Sequence, residues 1–217
     1  FKCSLTESFF KDNQFYAGAA NTKTFILLLN TDQNKNIDNK EKQDENYIYY
    51  ADTKHLPYGD KTKEQIIEYS ENIVKYFISR NVKAVVIACG TASSLAYSHL
   101  KEHFNIPIFD IIGPVAKNIK DKNIGILATT ASTNSKIWEN KILKFNLNCN
   151  ITSVACPKLV PLAEKNLINS AEAKDAINQY LSVVKNQKID SLILGCTHYP
   201  LFTNLIKKEL PADVKII

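Results

Sequence analysis

Methionine is absent from the 217 residues, arginine occurs once, at Arg80, and glycine only six times. Because the chain opens on Phe1, its native start is expected to lie outside these residues. Recognition of phosphates and base edges leans on arginine and on clustered charge, so a net charge of +5 carried by dispersed lysines speaks against nucleic acid as a partner. So few glycines leave no GxGxxG and no Walker sequence, and cofactors held by glycine-rich loops drop out. No apolar run approaches the roughly 18 residues of a membrane span, the longest being Phe25 to Leu29 and Ala84 to Cys89. The start also lacks a basic segment leading into an apolar stretch and a cleavage site, which makes the cytoplasm the expected compartment. Cys3, Cys89, Cys149, Cys156 and Cys196 include no CxxC, fitting neither a disulfide framework nor a zinc site; reduced thiols and no metal are expected.

What is present changes character along the chain. Thr31 to Asn46 has Ile37 as its sole apolar residue and reads as a solvated loop or disordered linker, since it cannot bury enough surface to offset the entropy of ordering. Ahead of it Thr24 to Leu29 reads as a buried strand, and Phe1 to Asn21 shows no clear period. From Tyr47 onward strand and helix patterns alternate. Tyr47 to Ala51 reads as a strand, His55 to Asp60 as a Pro-Tyr-Gly loop, and Thr62 to Arg80 as a helix with Ile66, Ile67, Ser70, Ile73, Val74, Phe77 and Ile78 on one face. Val82 to Ala88 is a continuous apolar run of strand length, the pattern of a parallel strand covered on both sides. A helix is expected from Ala92 to Phe104, then strands at Ile106 to Ile111 and Asn123 to Ala128 around the Gly113-Pro114 break. Ala171 to Gln187 is amphipathic, with Ala173, Ala176, Ile177, Tyr180, Leu181 and Val184 in register, and leads into the strand Ser191 to Leu194.

Two of these strands end alike, in Cys89-Gly90-Thr91 and in Gly195-Cys196-Thr197. A buried cysteine is most often a small hydrophobe, and Cys3, Cys149 and Cys156 are read that way. A matched pair, each at a strand-to-helix turn where helix-start amides can favour a thiolate, points to chemistry at the carboxyl ends of the strands, where open α/β sheets bind ligands. Two thiols on opposite sides of one cavity suit two-base proton transfer: one thiolate removes an α-proton, the other thiol protonates the opposite face, and the centre inverts.

Ala88-Cys89-Gly90-Thr91-Ala92-Ser93 and Leu194-Gly195-Cys196-Thr197-His198-Tyr199-Pro200-Leu201 carry a further likeness, together with Tyr50-Ala51-Asp52-Thr53 and Leu56-Pro57-Tyr58-Gly59. In this order they resemble the motifs of the bacterial glutamate racemases, within the aspartate/glutamate racemase family, from about Asn46 to Ile217. The resemblance implies two pseudo-symmetric three-layer α/β halves with parallel sheets and an active-site cleft between them. Residues 47–112 with 204–217 would form the first half, 113–203 the second, and 1–46 stay unmatched. It implies Cys89 and Cys196 as the catalytic thiols, working without cofactor, and His198 as the group assisting the second. It implies Pro57, Tyr58, Gly59, Gly90, Thr91, Thr129, Ser132 and Thr197 as substrate-binding residues. Glutamate is then the partner, interconverted between its L and D forms for the bacterial wall, with no nucleic acid, no membrane, and a homodimer as the assembly to test.

Three departures from the family pattern lead to the expectation of impaired activity. Residues 1–46 lack the opening Asp-Ser and glycine-rich turn, Gly90 stands where Asn is usual, and the chain stops at Val214 to Ile217, ahead of the usual closing helices. Two alternatives stay open: a non-catalytic remnant or binding protein of the same fold, and a related aspartate racemase or decarboxylase.

Overall fold

The computed structural model describes residues 25–30 and 46–217. The readings of Phe1 to Asn21 and of the polar stretch up to residue 45 lie outside the described residues. The first sheet has the order β2-β1-β3-β4, from β1 (Phe25–Asn30), β2 (Asn46–Ala51), β3 (Val82–Ile87) and β4 (Ile108–Asp110). The second has the order β6-β5-β7-β8, from β5 (Asn123–Ala128), β6 (Asn150–Ala155), β7 (Ser191–Leu194) and β8 (Lys215–Ile216). Each sheet with its helices is one half of an α/β molecule.

The expectation of parallel sheets holds in full for the second sheet and needs correction in the first. There β1 runs antiparallel to both neighbours, and only β3 and β4 pair in parallel. The helical crossover from β2 to β3 does make those two strands point the same way, but β1 inserts between them. The tail is a second correction. Residues 204–217 were expected to return to the first half; instead β8 pairs in parallel with β7, Ser191 facing Lys215 and Leu192 facing Ile216, and Ile217 N–H donates to Leu192 O at 2.9 Å. An apolar strand next to the one just left satisfies its backbone groups with a single short crossover.

The long helices form where apolar spacing and capping agree. α1 (Lys63–Ile78) starts at Thr62, whose hydroxyl accepts from Gln65 N–H while the Gln65 side chain reaches back to Thr62 N–H. It buries Ile66, Ser70, Ile73, Val74 and Phe77, with Ile67 half-buried, whereas Ile78, expected on the same face, is exposed at the helix end. The helix expected over Ala92 to Phe104 is in fact two, α2 (Gly90–Leu95) and α3 (Tyr97–His103). Ser94 Oγ donates to Gly90 O at 2.7 Å, a side-chain bond to the carbonyl one turn back that bends a helix, and Ser93 Oγ ties the helix to Ile87 O of β3 at 2.9 Å. After β4 comes α4 (Ile112–Asn118), the connection between the halves. In the second half a similar break at Lys136, held at φ 55°, separates α5 (Thr130–Ser135) from α6 (Ile137–Leu143). Then α7 (Leu159–Glu164), α8 (Ala171–Lys185) and α9 (Thr203–Glu209) complete the chain, α8 burying all six residues of its predicted face.

Apolar burial is organised by half. One cluster joins Tyr58, Val74, Phe77, Val85, Ile87 and Leu100 in the first half; two others cover the two faces of the second sheet. A charged tie crosses between halves. Lys141 on α6 reaches Asp110 at the end of β4 and lies 4.6 Å from the centroid of the Tyr97 ring. Asp110 is 6% exposed and also accepts from Gly113 N–H at 2.6 Å. Removing one partner of a buried pair strands the other charge. Lys141→Met should therefore lower urea stability by about 3 kcal/mol. Lys136→Met, which only breaks an exposed pair with Glu139, should change it by less than about 0.5 kcal/mol; equal losses would mean that Asp110 stays solvated.

Candidate active site

β3 and β7 occupy the same place in their sheets, third in each order, and each ends in a cysteine. Cys89 caps α2, its Sγ accepting from Ala92 N–H at 3.5 Å. It is 6% exposed, and burial pushes its pKa up despite amides from Ala92 and Thr91 and the Thr91 hydroxyl, which favour the thiolate. Beside it the Pro57-Tyr58-Gly59 loop inserts Tyr58 into the same core cluster. The Tyr58 hydroxyl donates to Asp52 Oδ2 at 2.6 Å, and His55 Nδ1 donates to the same carboxylate at 2.8 Å. His55 is stacked on the Tyr69 ring with centroids 3.8 Å apart. Burial first, then the bond to Asp52, holds the Tyr58 phenol neutral far above its ordinary range, and the negative charge of a Cys89 thiolate adds to the effect.

Cys196 is equally enclosed, at 8% exposure. Burial pushes its pKa up to about 12, against His198 N–H and the Thr197 hydroxyl, while the facing Cys89 raises it further. A thiolate at Cys89 therefore disfavours ionisation of Cys196. His198 Nδ1 lies 3.7 Å from Cys196 Sγ, and His198 Nε2 is 2.7 Å from Glu164 Oε1. A carboxylate only accepts, so Nε2 carries the hydrogen and Nδ1 presents its lone pair to the thiol. Glu164, at the end of α7, went unnoticed in the sequence because 34 positions separate it from His198.

Hydroxyls line the seam between the two turns. Thr91 Oγ1 and Thr129 Oγ1 share a hydrogen bond at 3.0 Å, and Ser94 Oγ and Ser132 Oγ share one at 3.1 Å, both across the halves. Thr129 caps α5 and donates to Ser132 Oγ at 3.1 Å. Gly59 packs on Thr129: a Cβ there would lie 3.2 Å from Thr129 Cβ. Of the expected residues, Gly59 and Thr91 of the first half thus meet Thr129 of the second, and Gly90 meets the backbone of Gly195 and Cys196, while Tyr58 and His198 are held by partners in their own halves. Pro57 precedes the short 3-10 turn carrying Tyr58. Asp52, Ser94 and Glu164 were not among the expected site residues. Asp52 had a signal, as a carboxylate just after an apolar strand in a recognised motif; Ser94 and Glu164 had none.

Neither of the other described thiols lies on the seam itself, although Cys156 shares a core cluster with Cys196. Cys156 is fully buried beneath Tyr199, whose hydroxyl donates to Cys156 O at 3.0 Å, and Cys149 is half-buried and donates to Asn146 O. Cys3 lies outside the described residues. Among the described residues no group of three His, Cys, Asp or Glu converges to hold a metal ion, and no helix is long and apolar enough to cross a membrane.

The pairing of two strand-end thiols coincides with a match of residues 35–217 to the model of the Asp/Glu/Hydantoin racemases. The chain belongs to that family. Among its Asp/Glu/Hydantoin racemase relatives, the glutamate racemase of Prochlorococcus marinus (strain NATL1A) is 42% identical over 171 residues, which are 79% of this chain and 64% of that protein. The chain thus spans less than two thirds of that relative's length. Among solved structures, a glutamate racemase isoform from Bacillus anthracis superimposes with a TM-score of 0.73 at 34% identity, over 77% of this chain and 64% of that one. The glutamate racemase of Francisella tularensis, determined in complex with D-glutamate, gives 0.70 at 34% identity over 76% and 63%.

The raised thiol pKa values have a consequence for stability. In the unfolded chain a cysteine loses its proton near its ordinary value of 9.0, whereas folded Cys196 keeps it to about 12. The folded state therefore binds the extra proton in that window, and stability falls as pH rises from 9 towards 12. Urea unfolding should show this fall, and Cys196→Ser should make it shallower by up to about 1.4 kcal/mol per pH unit. Identical slopes in the two proteins would mean that the thiol is solvated.

Proposed function

We propose that this chain acts as a cofactor-independent glutamate racemase, and that Cys89 and Cys196 exchange the α-proton from opposite faces. The observation that carries the reading is the pair of buried thiols on two turns whose backbones meet at Gly90 and Gly195, in a chain of this family whose 42% identical relative is a glutamate racemase. In one direction the thiolate of one cysteine takes the α-proton as the C–H bond breaks, leaving a carbanion conjugated with the carboxylate. The thiol of the other cysteine then delivers its proton to the opposite face, ending as the thiolate. One proton is taken and one given, and the two cysteines exchange states; the reverse direction uses them in the opposite order.

Desolvated thiols of high pKa are strong bases once ionised, which suits removal of a weakly acidic α-proton; the difficulty lies in holding one thiolate ready. His198 answers it for Cys196, with Nδ1 able to take the thiol proton and Glu164 steadying the imidazolium through Nε2. For Cys89 the helix-start amides are the groups that favour the thiolate. Thr91, Thr129, Ser132 and Thr197 supply hydroxyls for the substrate's carboxylates and ammonium once the seam parts. The D-glutamate bound by the Francisella relative supports glutamate as the ligand. We place the reaction in the cytoplasm, feeding D-glutamate to wall synthesis, with the enzyme as a homodimer.

The test is loss of circular dichroism from D-glutamate incubated with purified protein. Net racemisation should vanish in both Cys89→Ser and Cys196→Ser, because each thiol handles one of the two protons. His198→Asn should lower kcat by about a hundredfold with KM little changed. Glu164→Gln should act in the same direction but less strongly, since it only orients the imidazole. An unchanged signal at millimolar D-glutamate, with the protein folded and binding glutamate, would replace this reading with that of a binding protein of the same fold.

A further inference from the structure

Gly90 stands directly after Cys89, and the resemblance to glutamate racemases makes it a substrate contact. Its surroundings indicate another role. A Cβ on residue 90 would sit 2.2 Å from Gly195 O, 3.3 Å from Gly195 C and 3.7 Å from Cys196 Cα. Gly90 has no left-handed φ, so its backbone conformation is open to any residue; what excludes a side chain is the other half of the molecule. Gly195 has no room to withdraw. Its N–H donates to Leu127 O at 2.8 Å, and a Cβ on it would lie 3.0 Å from that carbonyl and 3.1 Å from Trp138 Nε1. The two cysteine turns thus rest backbone on backbone, without space for a methyl group between them.

The neighbouring contacts hold the same seat. The Thr91–Thr129 and Ser94–Ser132 hydroxyl bonds flank it, and Ser94 Oγ also donates to Gly90 O. We propose that Gly90 is a positioning residue that sets the closest approach of the two cysteine turns. Lacking a side chain, it lets the halves seat directly on each other, so that a ligand reaches both thiols only when the halves part. Any side chain at residue 90 fixes a wider minimum gap and shifts the population towards the parted arrangement. The residue acts through Cys89 and Cys196 and needs no contact with substrate to do so.

Peptide-resolved mass spectrometry of iodoacetamide labelling at constant pH tests this on the whole chain without turnover, so its outcome is independent of the glutamate assay. Cys89 is the reporter. Cys196 also borders a cavity of about 510 Å³ lined by Trp138, Thr197, Pro200 and Ile217, and should respond less. Cys156, fully buried in the core of the second half beneath Tyr199, reports loosening of that half itself. In Gly90→Ala, Cys89 should label at least about tenfold faster than in the wild-type chain while Cys156 stays unchanged, because modification tracks the open population. A Cys89 rate within twofold of wild type, or a parallel rise at Cys156 in a folded variant, would overturn the proposal. If Gly90→Ala does not fold, Ser94→Ala decides, since it removes the hydroxyl joining Gly90 O to Ser132 without adding volume. A selective rise at Cys89 supports the seat, and no rise overturns it.

Discussion

The backbone contact between the turn after β3 and the turn after β7 governs the rest of the site. Because Gly90 lets the first turn meet Gly195, both thiols are withdrawn from water, and desolvation becomes the largest influence on each. The same approach brings Thr91 to Thr129 and Ser94 to Ser132, so hydroxyls that would be costly to bury alone satisfy one another. Two buried thiols facing each other also cannot both ionise cheaply.

The halves supply this pair with different surroundings. Cys196 has an imidazole at 3.7 Å backed by a carboxylate, a chain that can carry a proton away from sulfur. Among the described residues, the carboxylate behind Tyr58 on the Cys89 side is Asp52, and both the Tyr58 hydroxyl and His55 already bond it. That arrangement rigidifies the Pro57-Tyr58-Gly59 loop rather than presenting a free base to the thiol. The pseudo-symmetry of the strands thus does not extend to the chemistry around their ends, and the two faces of a substrate would meet thiols prepared in different ways.

Mechanically, the molecule is firm within each half. Its apolar clusters follow the sheets: Val85, Ile87 and Phe77 knit the first, while Leu127, Leu192 and Tyr199 knit one face of the second. The contacts between halves are of another kind, comprising hydroxyl pairs, a glycine seat and the Lys141–Asp110 tie beside Tyr97. Polar contacts of this sort are directional and individually modest in net free energy, whereas burial of Leu, Ile and Phe is large and non-directional. The joint is therefore where motion costs least, and the ion pair beside α4 anchors the end about which it would turn.

Sequence alone determined the alternation of strand and helix, the covering faces of α1 and α8, and the placement of Cys89 and Cys196 at strand ends beside threonines. These are local properties: periodicity, capping and turn chemistry act over a few residues and survive in any tertiary context that buries the apolar face. The motifs also pointed to His198, Thr129 and Ser132 before any contact was known. Tertiary structure decided the antiparallel insertion of β1 between β2 and β3, the return of β8 to the second sheet, and the split of the expected Ala92 to Phe104 helix. It also paired Glu164 with His198 and set Gly90 against Gly195. Each of these depends on groups far apart in the chain finding complementary partners, and no local pattern of hydrophobicity encodes which distant carboxylate an imidazole will meet or how closely two turns will approach.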